Sequence, residues 1–230
     1  LVEGRVDSLE QFRGLGTSGG FANADVFGAG RGWAFQIMRN PKSRDMYEQF
    51  MARDDVFSIG VCNGCQIHTT LGLVPHRDMD TPKEMQPLFV QNTSKVFEAR
   101  SLMVGVQVSP AIMFQGMAGA RLGVPGAHGE GRFHIPSTHM EQEIIDRNLV
   151  PLVYLAPDNQ ATEKYPYNPN GSPYGWAGLC DPSGQHVVMM PHPERLPNLD
   201  NWQYLTPEME RDLSASPWLM CTQNLYKWCT

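Results

Sequence analysis

The residues best placed to do chemistry are Cys62 and Cys65, in the stretch "SIGVCNGCQIHTTLGLVP" at residues 58–75. Two cysteines three positions apart suit a redox pair, half of a metal site, or one nucleophile with a bystander. An apolar run with β-branched Val56, Ile59 and Val61 precedes them and reads as a buried strand. A helical pattern with Ile67, Leu71 and Val74 follows, closed by Gly72 and Pro75. Strand, Gly-x-Cys-x-Gly, helix is the layout of a nucleophile elbow with cysteine in the serine position. At such a bend the strand end and the helix start pass close together, so the residues two before and two after the nucleophile must be small. Gly60 and Gly64 meet that demand around Cys62, whereas Cys65 has Asn63 and Ile67 in those places. The elbow therefore selects Cys62, with the positive end of the following helix near its sulfur, which favours thiolate. A redox pair does not require those glycines. A zinc site would need a second ligand pair, and Cys180, Cys221 and Cys229 form no close C-x-x-C. Cys65 is expected to be a small buried helix residue.

A cysteine nucleophile needs a base and a group to orient that base. "VVMMPHPERL" supplies both: in extended backbone, His192 and Glu194 point the same way, and Pro191 and Pro193 hold the segment out of a helix. A carboxylate bonded to imidazole fixes its tautomer and supports the imidazolium formed during proton transfer. His139 and Glu141 share the spacing, but open a predicted helix, where such side chains diverge. His128 and Glu130 are separated by a glycine with no strand before them, and a surface-loop histidine is the plain reading of His128. His68, His76, His134 and His186 have no carboxylate at that spacing.

The framework that must position these groups reads as α/β. Helices are expected over "RGWAFQIMRN", "RDMYEQFMARDD", "CQIHTTLGLV", "HMEQEIIDRNLV" and the tail "SPWLMCTQNLYKWC", with a short one at Leu9–Phe12. Strands are expected in "DVFSIGV", within residues 89–108, and in "GEGRFHI", "PLVYLA" and "HVVMMP". "YPYNPNGSPYGWAG" reads as a long ordered loop. Strands alternating with helices favour a mostly parallel central sheet flanked by helices. The chain's 230 residues are 41% apolar and 18% charged, as in an ordinary soluble domain, and no apolar run is long enough to span a bilayer. A net charge of −6 argues against a non-specific nucleic-acid binder. Five cysteines fit a reducing, cytoplasmic setting better than a secreted disulfide scaffold. Opening on Leu1 rather than Met suggests a piece of a longer protein.

"GVCNGCQ" with a downstream "PHPER" resembles the class I glutamine amidotransferases. "GGFANADVFGAGRGWA", "NTSKVFEAR", "HGEGR", "YPYNPNGSP" and "MMPHPERL", in this order from about Phe12 to Trp228, bring it closer to the glutaminase domains of the phosphoribosylformylglycinamidine (FGAM) synthase family. The resemblance implies a flavodoxin-like fold over residues 1–230, as the C-terminal part of a larger synthase, with the family's first strand and helix absent. It implies that Cys62 attacks the glutamine side-chain amide, that His192 is general base and acid, and that Glu194 orients it. The backbone N–H groups of Gly20 and Asn63 would then form the oxyanion hole. Gly19, Gln66, His128, Gly129 and Glu130 would hold the substrate, while "NTSKVFEAR" is read as structural sheet with contacts to the partner. No cofactor or metal is implied for the chain itself; ATP and magnesium would bind an FGAM synthetase domain, upstream in cis or as a partner chain. Two departures stand out: Gly16, Thr17 and Ser18 replace a more apolar strand, and "FANAD" replaces Phe-Ser-Tyr-Gly-Asp. They keep open a catalytically silent homologue acting as an interaction module. A cysteine hydrolase using the same triad on another amide is a further alternative.

Overall fold

In the computed structural model, residues 6–20 and 28–230 are described. Four strands form a sheet in the order β1 (Gly14–Thr17), β2 (Phe57–Val61), β9 (His186–Met189) and β8 (Gly178–Cys180). The first three run parallel, and β8 is antiparallel to β9. This is the expected, mostly parallel central sheet. The register places Gly60 beside both Thr17 and Val188, and Val61 beside Met189. β9 is buried along its whole length, as its continuous apolar run requires.

Helices α1 (Ala29–Arg39), α2 (Pro41–Met51) and α3 (Asn63–Thr70) overlap the expected stretches, with α2 and α3 starting two to three residues earlier and ending four residues sooner. Asn40 ends α1 and starts α2, its Oδ1 accepting the Ser43 N–H at 3.0 Å with Pro41 in the first turn. Ala34, Ile37, Met46, Phe50 and Met51 from α1 and α2 pack with Val56, Ile67 and Leu71 in one apolar cluster.

A larger cluster joins the other face to a second, antiparallel unit. It comprises β4 (Glu98–Val106) between β5 (Arg121–His128) and β7 (Leu152–Tyr154), and the pair β3 (Leu88–Val90) and β6 (Arg132–His134). Helix α4 (Thr138–Asp146) is capped by Ser137, and α5 (Pro207–Asp212) by Thr206. The terminal helix α6 (Leu219–Cys229) buries Cys221 and Leu225, and Trp218 just before it donates to Gly123 O at 2.9 Å.

Several elements differ from expectation: β1, β8 and α5 were not anticipated, and two further cases have a visible cause. Leu9–Phe12 is a turn, because the Arg53 Nη1 group takes the carbonyls of Leu9, Glu10 and Phe12 at 3.5, 3.0 and 3.1 Å. β5 was not expected; Gly123, Pro125 and Gly126 are poor strand formers. It lies at the edge of its sheet, with β4 as its strand neighbour, where a missing proline N–H costs no ladder bond.

Candidate active site

Cys62 stands at the bend between β2 and α3 with φ 53° and ψ −104°, a conformation that a non-glycine residue adopts only when its surroundings enforce it. They do. Its N–H donates to Met189 O at 2.8 Å on β9, and its carbonyl accepts the Gln66 N–H at 3.2 Å. A Cβ on Gly60 would lie 2.7 Å from Gly64 O, and one on Gly64 only 2.1 Å from Thr17 O. The small residues that the sequence pattern demanded are thus required by backbone on both sides. Cys65 is fully buried, and burial with the nearby Cys62 pushes its thiol well above the usual range. All five cysteines are unbridged.

The strand next to β2 delivers the base. His192 follows β9, its N–H donating to Pro125 O at 2.8 Å, and its ring is 1% exposed. Nδ1 lies 2.6 Å from Glu194 Oε1. Pro193–Arg195 is a single 3₁₀ turn rather than extended chain, so Glu194 reaches the ring by turning back on it. The Cys62 thiol donates to Ala127 O at 3.4 Å, while His192 Nε2 has no hydrogen-bond partner in this conformation. Catalytic hydrogen bonds are commonly loose before substrate arrives. Burial opposes charging of the His192 ring, but the adjacent Cys62 and Glu194 outweigh it and raise the pKa to about 9. Gly19 closes the group: a Cβ there would fall 2.7 Å from His192 Cε1 and 3.2 Å from Cys62 Cβ.

Gly20, Cys62, Asn63, Gln66, Glu130 and His192 border one cavity. Gly20, at φ +132°, has open space where a side chain would stand. Gln66 Nε2 donates to Glu130 O at 2.7 Å. The Glu130 carboxylate accepts the Gly28 N–H at 2.7 Å at the start of α1, and lies 3.8 Å from Arg31. That is a helix N-terminal carboxylate supplied from a distant loop. His128 and Gly129 also line the cavity, but His128 is a buried residue, 1% exposed, not a surface-loop histidine. Its Nε2 lies 3.4 Å from Asn170 Nδ2 and 3.5 Å from the Tyr154 hydroxyl, and burial lowers its pKa to about 4. The expectation about a lost tyrosine in "FANAD" falls at positions 21–25, outside the described residues.

Sequence reasoning missed the residues that hold this loop. Asn92 Nδ2 donates to His128 O at 2.8 Å, and its Oδ1 accepts the Gly131 N–H at 2.9 Å. Asn170 Nδ2 donates to Tyr154 Oη at 3.0 Å, and its Oδ1 accepts the Ser172 hydroxyl at 2.7 Å. Both asparagines sit in stretches singled out above, "NTSKVFEAR" and "YPYNPNGSP"; the signal was present, but not the contact. Glu98, in the first of these stretches, is buried and paired with Arg100, whose guanidinium lies 4.8 Å from the Tyr165 ring centroid. Arg195 borders the cavity too. Among the described residues no group of three or more His, Cys, Asp or Glu is arranged to hold a metal.

A cysteine at a strained elbow, an imidazole–carboxylate pair beside it and a mostly parallel sheet beneath are the arrangement expected of a nucleophile, its base and the group that orients the base. Residues 1–229 match the profile described as the CobB/CobQ-like glutamine amidotransferase domain, and the chain belongs to that family. Among curated relatives, the probable phosphoribosylformylglycinamidine synthase, chloroplastic/mitochondrial, of Arabidopsis thaliana is 43% identical over 225 residues, 96% of this chain. The phosphoribosylformylglycinamidine synthase of Homo sapiens is 40% identical over 229 residues, also 96% of the chain. The chain spans only 16% and 17% of the length of these two relatives. The solved structure of PurLQS from Thermotoga maritima shares the fold, with a TM-score of 0.67 and 21% identity over 97% of this chain and 83% of that one.

Proposed function

We propose that the chain is the glutaminase part of a phosphoribosylformylglycinamidine synthase. Cys62 Sγ attacks the side-chain carbonyl carbon of glutamine as a thiolate, its proton held on His192 Nε2, whose raised pKa favours that pair, and Glu194 holds the ring with that nitrogen turned inward. The tetrahedral oxyanion is met by the N–H groups of Gly20 and Asn63, one at the end of the β1 loop and one at the first turn of α3. His192 returns the proton to the departing nitrogen, the carbon–nitrogen bond breaks, and ammonia leaves a γ-glutamyl thioester on Cys62. Water, deprotonated by His192, then releases glutamate and restores the thiol. Gly19, Gln66 and the His128–Glu130 loop shape the substrate's seat.

The ammonia would serve a synthetase, in cis or as a partner chain, that converts formylglycinamide ribonucleotide to formylglycinamidine ribonucleotide with ATP and magnesium bound there. This chain needs no cofactor of its own in that scheme. The names of its relatives support the reading, and five unbridged cysteines suit the cytoplasm. No helix among the described residues is long and apolar enough to cross a membrane.

The convergence of Cys62, His192 and Gly19 at one point carries the proposal. In the enzyme assembled with its synthetase, Cys62→Ala is expected to abolish glutamine-dependent product formation while leaving synthesis from added ammonia intact. Undiminished glutamine hydrolysis by that variant would refute the nucleophile assignment.

A further inference from the structure

The donor loop must be placed to a fraction of an ångström, yet the strand that carries it has little to hold it. β1 is four residues long, pairs with β2 alone among the described strands, and has no fully buried residue. Apolar burial therefore does not fix where its C-terminal end lies. Two contacts do. The Thr17 carbonyl abuts Gly64, where a Cβ would approach it to 2.1 Å. The Thr17 hydroxyl is hydrogen-bonded to His68 Nε2 at 2.8 Å.

His68 lies in α3, the helix that begins at Cys62, and is 0% exposed. Its other ring nitrogen, Nδ1, is buried without a partner, so Thr17 is the ring's hydrogen-bonding partner among the described residues. A buried imidazole with half its polar capacity unmet is costly. An apolar side chain would fill the site without that cost. What it could not supply is the bond to Thr17. Burial, with His186 nearby, lowers the His68 pKa to about 3, so the ring stays neutral at physiological pH.

We propose that Thr17 and His68 form a positioning pair, whose hydrogen bond ties the strand end before Gly20 to the helix bearing Cys62 and so sets the oxyanion donor against the reacting carbonyl. The proposal rests on the amidotransferase reading above. Neither side chain touches substrate; the pair acts through the backbone of Gly19 and Gly20.

Thr17→Val keeps the shape of the side chain and removes the hydroxyl; Thr17→Ser keeps the hydroxyl. Both would be compared with the parent, assembled with the synthetase, by glutamine turnover and by iodoacetamide alkylation of Cys62, read by peptide mass. Alkylation is a direct displacement that needs no oxyanion hole. For Thr17→Val, kcat is expected to fall about 10- to 100-fold with KM nearly unchanged, as for a slightly displaced catalytic group. Alkylation should proceed at the parental rate, and Thr17→Ser should restore turnover. Parental kcat in Thr17→Val, alkylation slowed in step with turnover, or a serine variant no better than valine would each overturn the proposal. A parent that alkylates normally but hydrolyses no glutamine would count against the amidotransferase reading, and this proposal would fall with it.

Discussion

His192 shows how two neighbours overrule burial. The ring is almost wholly enclosed, which penalises its charged form, yet Cys62 and Glu194 carry its pKa to about 9. A pKa raised on folding contributes stability that is complete below the ordinary value of 6.5 and is lost as pH rises through about 9. Glu194→Gln removes one of the two raising partners. The His192 titration midpoint, followed by NMR of the ring protons, is therefore expected to move down, and the loss of this stabilisation, which still sets in near 6.5, to be complete at lower pH. An unmoved midpoint would mean that Cys62 alone sustains the shift. The Cys62 bend and the His192–Glu194 pair were legible in the sequence because each is local: glycines two residues either side of Cys62, and a carboxylate two residues after His192. The means by which Glu194 reaches the ring was not legible, since a Pro-Glu-Arg stretch fits an extended chain as well as the 3₁₀ turn it forms.

At the scale of elements, the loop that begins at His128, the end of β5, is held by amide side chains from two remote segments. Asn92 bridges His128 O and the Gly131 N–H, and it is 2% exposed. Removing such a side chain strands two buried backbone groups, a cost of about 1–3 kcal/mol. Asn92→Ala is accordingly expected to lower the unfolding free energy by that order and to raise KM for glutamine more than it lowers kcat. Steady-state kinetics beside a urea titration would check both; equal loss in kcat and KM would show that the loop does not bear on binding. The helices and buried strands were readable because apolar periodicity and caps are properties of one segment. β5 was not, because Gly123, Pro125 and Gly126 are poor strand formers unless a neighbouring strand lies on one side only. The Asn92 and Asn170 bonds escaped for a related reason: they join stretches far apart in the chain, and no local pattern encodes the partner. The Thr17–His68 bond belongs to the same kind.

For the molecule as a whole, three histidines are enclosed away from any balancing carboxylate bond. Burial lowers His68 and His186 to about 3 and His128 to about 4, from an ordinary 6.5. The unfolded chain takes up protons at these positions well before the folded one does. Stability is thus complete above pH 6.5 and falls as pH drops toward those folded values, by at most about 1.4 kcal/mol per pH unit for each ring. Most carboxylates remain ionised above about pH 5. Urea midpoints measured from neutrality down to that point should decline steeply, and a flat profile would contradict the burial of these rings.

The order of strands in the central sheet has a further consequence for synthesis on the ribosome. β9, which brings His192, is made late but belongs between β2 and β8, at the middle of the sheet. Until it emerges, Cys62 stands without His192 beside it, and one margin of β2 waits unpaired. That waiting margin is a strand edge open to other growing chains until β9 closes it.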